Sequence, residues 1–443
     1  MLTIVRHAYE TVPYYQRTMD ELRLQPGDLR SAADLARLPL IDGAAVRHAV
    51  SDFASSRYGG DSRETFMTSG SESGVRREVY WDAPYLVRAM AWAERDRPIL
   101  TALAGEQPLQ TRIRELIADT RIQNLVGKLV GDPADHHRIS IFPRSNNSGV
   151  VRELWSQHTL IPARPAHHHF IPAQLPFEEV VLRMNEIRPR IAFSYGSYAD
   201  HFFRRVAERG RPPALPRVWV YNSDHMSAEG RAIAERHGCR IYSTYSAVEA
   251  QRMGIQCERR EGFHLNVDFH AFRVVDPEGR DVAPGTPGDL VVSNLHNRAM
   301  VLLNYRIGDR AVLDPDPCPC GRTLPLLSRL EGRRSEQLRL ADGRELSSFA
   351  IEALFRELLA PTLKVQIEQS MPGALLLRVV PFQRLDREPL AGAIRRRARE
   401  VLGEGTRVAV EFVDEIAPTP QGKFLRTVVA ATQTSGDRAV GSR

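Results

Sequence analysis

Between residues 177 and 187 the chain reads FEEVVLRMNEI, which puts Phe177, Val180, Val181, Met184 and Ile187 on one helical face and the charges on the other. Short apolar runs lie around it. VWVYN at 218–222, RIYSTY at 240–245 and DLVVSNL at 289–295 have the length and composition of buried strands. Residues 1–60 alternate helical patterns with polar breaks. Strand-like runs separated by segments of helical period predict an α/β fold with a mostly parallel sheet covered by helices. The stretch 271–295 breaks that rhythm. There two apolar runs flank DPEG and PGTPG, which predicts antiparallel β structure.

The pattern changes after GRR at 332–334, where Gly332 precedes Arg333 and Arg334. QLRLADGRELS reads as strand-turn-strand, FAIEALFREL as a helix, KVQIEQS and ALLLRVV as strands, REPLAGAIRRRAREVL as an Arg-rich helix and RVAVEFVDEI as a last strand. The expected organisation is a large multi-sheet α/β N-terminal domain over 1–332 and a small α+β C-terminal domain over 333–430. A tail over 431–443, without apolar period, is expected to be disordered.

Composition narrows the class. The chain has 443 residues, 42% hydrophobic and 26% charged, as expected of a soluble globular protein of two or three domains. No window approaches the ~20 apolar residues of a membrane span, and MLTIVRHAYETVPYYQ has no secretory apolar core. Four cysteines argue against a disulfide scaffold and fit a reducing cytoplasm. The net charge of +6 is spread among interleaved acids and bases, without a basic stripe, so nucleic acid is not an expected partner. Only three of the 60 basic residues are lysines: Lys128, Lys364 and Lys423. In a chain this rich in arginine, a lysine can mark a place where a planar fork will not serve.

Five segments carry candidate chemistry. TFMTSGSESGVRRE at 65–78 holds Thr68, Ser69, Gly70 and Ser71, then Arg76 and Arg77. Small residues and hydroxyls let backbone N–H groups approach a polyphosphate, although a plain surface loop has the same composition. YSTYSAVEAQRMG at 242–254 places Glu249 just past a strand end, where a carboxylate can hold magnesium on a nucleotide or simply face solvent. In NYRIGD, Asp309 can accept hydrogen bonds from a sugar diol. RLEGR ends at Arg333, and PTPQGKFLR carries Lys423.

Taken in order, these motifs resemble those of the adenylate-forming superfamily of acyl- and aryl-CoA ligases. YGSY at 195–198 and CPCGR at 318–322 are similar to its phenylacetate–CoA ligase branch. The resemblance covers residues 60–430 and implies an ATP-dependent enzyme that converts an aryl or other small carboxylic acid to an acyl-adenylate, with coenzyme A as acceptor. A carrier-protein thiol or an amine is the alternative acceptor, and a nucleotide-binding homologue without turnover is the alternative to an enzyme. The resemblance assigns ATP to Thr68, Ser69, Gly70, Ser71, Arg76, Arg77, Ser223, Tyr245, Ser246, Asp309 and Arg333. It gives Mg2+ to Glu249 and the acid to Phe193, Tyr195, Gly196, Ser197 and Tyr221. Lys423, on a mobile C-terminal domain, would bridge the substrate carboxylate and the α-phosphate. The chain departs from the family pattern at Glu72, Ser73 and Val75 in the phosphate loop, at Ser246 and Val248 beside Glu249, and at Ser335, where the family has a hinge carboxylate.

Cys257, His264, Cys318 and Cys320 together make a tetrahedral set for structural Zn2+, or four unmetallated side chains. His167, His168 and His169, the His136–His137 pair and His270 read as solvated. His158 and His201 fall where an acyl pocket would be lined, and Cys239, Trp219 and Phe193 read as core.

Overall fold

A computed structural model of the chain describes residues 1–68, 76–105, 137–144, 168–419 and 423–429. The tail over 431–443 lies outside the described residues. The chain divides into two compact units: Met1–Arg334 with Pro418–Phe424, and Ser335–Ala417 with Leu425–Arg443.

In the larger unit the strands are β1 (Glu64–Met67), β2 (Glu78–Trp81), β3 (Arg138–Phe142), β4 (His168–Pro172), β5 (Ile191–Tyr195), β6 (Val218–Asn222) and β7 (Arg240–Ala247). They continue as β8 (Gln251–Ile255), β9 (Phe263–Leu265), β10 (His270–Val275), β11 (Gly288–Asn294), β12 (Tyr305–Leu313) and β13 (Leu326–Arg333). β1 and β2 form an antiparallel ribbon. The other eleven make one sheet in the order β10-β11-β12-β13-β9-β8-β7-β6-β5-β3-β4. The half from β4 to β7 is parallel. Beyond β7 every pairing is antiparallel.

The alternation along each strand explains the layers. Trp219 and Tyr221 of β6 pack into a core with Ala192, Ile241 and the helices Phe177–Ile187, Gly196–Arg209 and Ala228–Arg236. Their neighbours Val218 and Val220 face the opposite side, against Ile99 and Leu100. Strands buried on both faces read as continuous apolar runs, which is why 218–222 gave no alternation. A third core joins the N-terminal helices, through Ile4, Val5, Tyr15 and Met19, to Leu290, Val292 and Ile307 of the antiparallel half.

The smaller unit follows its sequence pattern closely. Strands Leu338–Arg339 and Glu345–Leu346 form a hairpin, and Thr362–Met371, Ala374–Pro381 and Arg407–Phe412 lie in a four-stranded sheet beside helix Arg387–Leu402. Two features differ from the sequence reading. The FAIEALFREL helix is interrupted at Phe355, and Thr427–Val429 adds a strand parallel to Thr362–Met371. Among the described residues no helix is long and apolar enough to cross a membrane.

His270 corrects the sequence reading. It has no exposed surface and packs between the rings of Phe269 and Phe272, at 5.1 and 5.5 Å. In DFHAFRV it resembles the polar start of a strand, but the strand pairs along its whole length with β11. Burial depresses its imidazole to about 3, against an ordinary 6.5. Below pH 6.5 the unfolded chain therefore binds a proton that the folded chain refuses, so stability falls as pH drops toward 3. Denaturant titrations at pH 7 and pH 5 should show wild type losing about 2 kcal/mol more than His270→Leu over that interval.

Candidate active site

The parallel strands β5, β6 and β7 end side by side, and their C-terminal ends carry Tyr195, Asn222 and Ala247. Open α/β sheets bind ligands at this edge. Tyr245 on β7 donates from its hydroxyl to Asp309 Oδ2 at 2.5 Å. Asp309 stands opposite Arg333 in the β12–β13 register, and Arg333 Nε lies 3.0 Å from Asp309 Oδ1. The same guanidinium donates to the carbonyl of Ile307 at 2.7 Å. Burial first, and then the neighbouring Asp309 charge, push the Tyr245 hydroxyl well above its usual range, so it acts as a neutral donor.

Glu249 lies in the turn between β7 and β8, only 7% exposed. Arg77 Nη2 donates to its Oε1 at 2.8 Å, and the Tyr305 hydroxyl donates to the same oxygen at 3.3 Å. Oε2 has no protein partner among the described residues. One free carboxylate oxygen suits Mg2+, which keeps waters and substrate phosphates as its other ligands. Thr68 and Arg77 close the base of the β1–β2 loop: Thr68 N donates to Arg77 O, and Arg77 N to Thr68 Oγ1, both at 2.9 Å. Arg76 is exposed and donates from Nε to Thr68 O at 3.3 Å. Ser69, Gly70 and Ser71 lie outside the described residues, as do Glu72, Ser73 and Val75.

At the head of β5, Gly196 opens the helix Gly196–Arg209. Ser197 donates from its backbone N–H to Asp224 Oδ1 at 3.0 Å and from its hydroxyl to Oδ2. Tyr195 and Tyr221 are buried, Phe193 half-buried, and the Phe142 ring meets Tyr195 edge-on at 5.1 Å. Ser223, after β6, adopts a left-handed φ of 70° and is exposed, with its hydroxyl on Asn222 Oδ1 at 3.0 Å. Ser246 sits at a β-bulge next to Tyr245. Within the larger unit, Lys423 Nζ lies 5.7 Å from the centre of the Tyr195 ring. Burial holds its ammonium below the ordinary lysine range; Asp224, Glu249 and Asp309 oppose that effect and Arg333 adds to it.

No protein-family profile matches the chain. A phenylacetate-coenzyme A ligase of Thermus thermophilus is 24% identical over 344 residues, covering 76% of this chain and 69% of that protein. One from Aromatoleum evansii is 23% identical over 343 residues, 75% of this chain and 69% of its own. The chain is similar in sequence to these phenylacetate–CoA ligases. Its fold is that of the adenylate-forming enzymes: a 2-hydroxyisobutyryl-CoA ligase in the postadenylation state superposes with a TM-score of 0.73. That likeness spans 97% of this chain and 88% of the other at 19% identity.

Two residues of the candidate site have no assignment from the sequence. Tyr305 lies within the NYRIGD motif, but nothing in that motif points to Glu249, 56 positions away. Asp224 adjoins Ser223, and its function as the partner of Ser197 has no linear signal, because 27 positions separate them.

Cys257, His264, Cys318 and Cys320 converge, with all four candidate ligand atoms within 4.8 Å of one another. Cys257 Sγ is 3.9 Å from Cys318 Sγ, and Cys320 Sγ is 3.4 Å from His264 Nε2. A tetrahedron with Zn–S bonds of about 2.3 Å has S···S edges of about 3.8 Å, so the spacing fits that ion. His264 Nδ1 faces the Leu324 carbonyl at 3.4 Å, the arrangement that fixes a ligating imidazole. Arg322, two residues beyond Cys320, grips Glu258 with both Nη atoms, at 2.6 and 2.8 Å.

The other histidines differ from the sequence reading. His168 and His169 are half-buried on β4; His168 Nε2 is 2.6 Å from Ser140 Oγ, and His169 Nε2 is 3.1 Å from His137 Nδ1. Strand pairing, invisible in a run of three histidines, removed them from solvent. His136, His158 and His167 lie outside the described residues. His201 is half-buried on the helix Gly196–Arg209, and Cys239 and Trp219 are fully buried.

Gly196 leaves no room for a side chain. A Cβ there would stand 2.5 Å from Asp224 O and 2.7 Å from the His225 carbonyl carbon. Gly196→Ala must push back the segment that holds Ser197, and should lower stability by about 1–3 kcal/mol, read as a shift in the denaturant midpoint.

Proposed function

We propose that this chain is an ATP-dependent, AMP-forming acid–CoA ligase acting on an aryl or other small carboxylic acid. The observation that carries the reading is the grouping, at one edge of the sheet, of Asp309 bound by Tyr245 and Arg333, Glu249 with one free oxygen, and the Lys423 ammonium. In this reading the ribose hydroxyls meet Asp309 and Arg333, the loop after Thr68 receives the phosphates with Arg76, and Tyr245 and Ser223 flank the base. Phe193, Tyr195, Gly196, Ser197 and Tyr221 line the acid.

The chemistry required is an attack by a carboxylate on an anionic phosphorus, with pyrophosphate leaving, so much of the barrier is charge repulsion. Lys423 offsets it as a compact cation reaching both the carboxylate and the α-phosphate oxygens, a gap too narrow for a guanidinium. Tyr195 presents its ring face to the ammonium and keeps water from one side of it. Mg2+ bound through Glu249 would neutralise charge on the triphosphate. The thiol of coenzyme A then attacks the acyl carbon of the adenylate, the bond to the phosphate oxygen breaks, and AMP leaves as the thioester forms with loss of the thiol proton. Two of the named relatives are phenylacetate-coenzyme A ligases, which favours this acceptor over a carrier protein or an amine. ATP and coenzyme A are abundant in the cytoplasm, where unpaired thiols such as these four stay reduced.

Pyrophosphate release with ATP and a panel of aryl and short aliphatic acids tests the proposal. At least one acid should raise it above background, and Lys423→Ala should cut that rate about 100- to 1000-fold, with Lys423→Arg giving no rescue. An acid-independent baseline, unchanged in Lys423→Ala, would leave a nucleotide-binding homologue without turnover.

The four-residue cluster is assigned to structural zinc. Protein purified without chelator should carry about one equivalent, and Cys318→Ser should lose it together with thermal stability. A zinc content below about a tenth of an equivalent would dismiss the assignment.

A further inference from the structure

Arg77 stands at the phosphate loop, where a cation is expected to face the nucleotide, yet its guanidinium is turned inward. It is 7% exposed and donates from Nη2 to Glu249 Oε1 at 2.8 Å. Its backbone is fixed as well, by paired hydrogen bonds to Thr68 at the base of the loop. The residue before Glu249 is held from the same ribbon: Trp81 Nε1 of β2 donates to the carbonyl of Val248 at 3.1 Å. Glu249 therefore takes its position from β2 and the loop base, and Arg77 and Tyr305 share one of its two oxygens.

We propose that Arg77 is a positioning residue with two consequences for Glu249: it turns Oε2 outward for a metal, and its charge closes the carboxylate to a free divalent ion. The inference rests on the reading of Glu249 as the metal carboxylate. A carboxylate already paired with a guanidinium is nearly neutral at a distance, and a dication approaching Oε2 meets the Arg77 charge close behind it. A nucleotide triphosphate brings the negative charge that the site itself lacks. Metal binding is thus coupled to nucleotide binding, and the coupling residue sits at the base of the loop that the phosphates would touch. Arg76, exposed and one position earlier, remains the cation available to phosphate.

Mn2+ binding to the full chain, followed by the electron paramagnetic resonance of the free ion, tests this without recourse to activity. Without nucleotide, wild type and Glu249→Gln should bind Mn2+ equally weakly. Arg77→Gln should gain a site at least about tenfold tighter, because removing one unit charge near a dication changes its energy by more than that factor. Arg77→Lys should restore the weak binding, and the double variant Arg77→Gln/Glu249→Gln should lose the gained site. With a non-hydrolysable ATP analogue, wild type should bind Mn2+ at least about tenfold more tightly than Glu249→Gln. The proposal is overturned if nucleotide-free wild type already binds Mn2+ more tightly than Glu249→Gln, a comparison that stands even where Arg77→Gln does not fold. It is equally overturned if the site gained by Arg77→Gln survives loss of Glu249. Failure to bind the analogue at all would count against the ligase reading, whereas the nucleotide-free measurements bear on Arg77 alone.

Discussion

Arg77, Glu249 and Asp309 are each only 7% exposed, and all three would be ionised at neutral pH in water. A buried charge without a partner costs several kcal/mol, more than one residue's packing can return. The local architecture follows from that constraint. β12 lies against β13 in the register that sets Asp309 opposite Arg333, and the β1–β2 ribbon delivers Arg77 to the turn that carries Glu249. Two tyrosine hydroxyls complete the pairs, Tyr245 on Asp309 and Tyr305 on Glu249. The polar groups gathered at this edge of the sheet are thus held in place by the need to satisfy one another, which is the condition a preorganised site requires.

Much of this frame was readable from the chain itself, because the signals are local. The helix at 177–187 and the strand at 218–222 coincide with their apolar patterns, and the turn-rich 271–295 became an antiparallel pair. The motif residues Tyr245, Asp309 and Arg333, which only the family resemblance connects, lie together in the fold. What could not be read was partnership across long separations. Nothing adjacent to Arg77 says that its target is 172 positions away, and the polar face of a strand start concealed that His270 is core. The short strand Thr427–Val429 was hidden for a different reason: three residues carry no periodicity, and only the neighbouring strand makes them β.

The scarcity of lysine proved partly informative. Lys364 donates to the Ile416 carbonyl at 3.0 Å, a role within the smaller unit that any long donor could fill, and Lys128 lies outside the described residues. Lys423 is different in kind. Its side chain is half-buried and the ammonium sits near an aromatic face, with three carboxylates acting on it and one guanidinium opposing them. Arg77 and Arg333 each set one guanidinium nitrogen on a carboxylate oxygen, whereas the half-buried position near the Tyr195 ring holds the compact cation.

The connection from β12 to β13, DPDPCPCGRTLP at 314–325, looks like a loop that could gain or lose residues without consequence. It is instead the segment that returns Cys318 and Cys320 to Cys257 and His264, and β13 leaves it beside β9 in a fixed register. Only residues 321–325 separate Cys320 from β13, so a residue added there must either bulge out or slip the strand by one position. A slip would turn Arg333 away from Asp309. In lineages that share this chain's cluster, that connection should therefore vary in sequence while keeping its length. Its evolutionary rigidity would be inherited from the pairing of Asp309 with Arg333, eleven residues past Arg322, not from the loop's own surface.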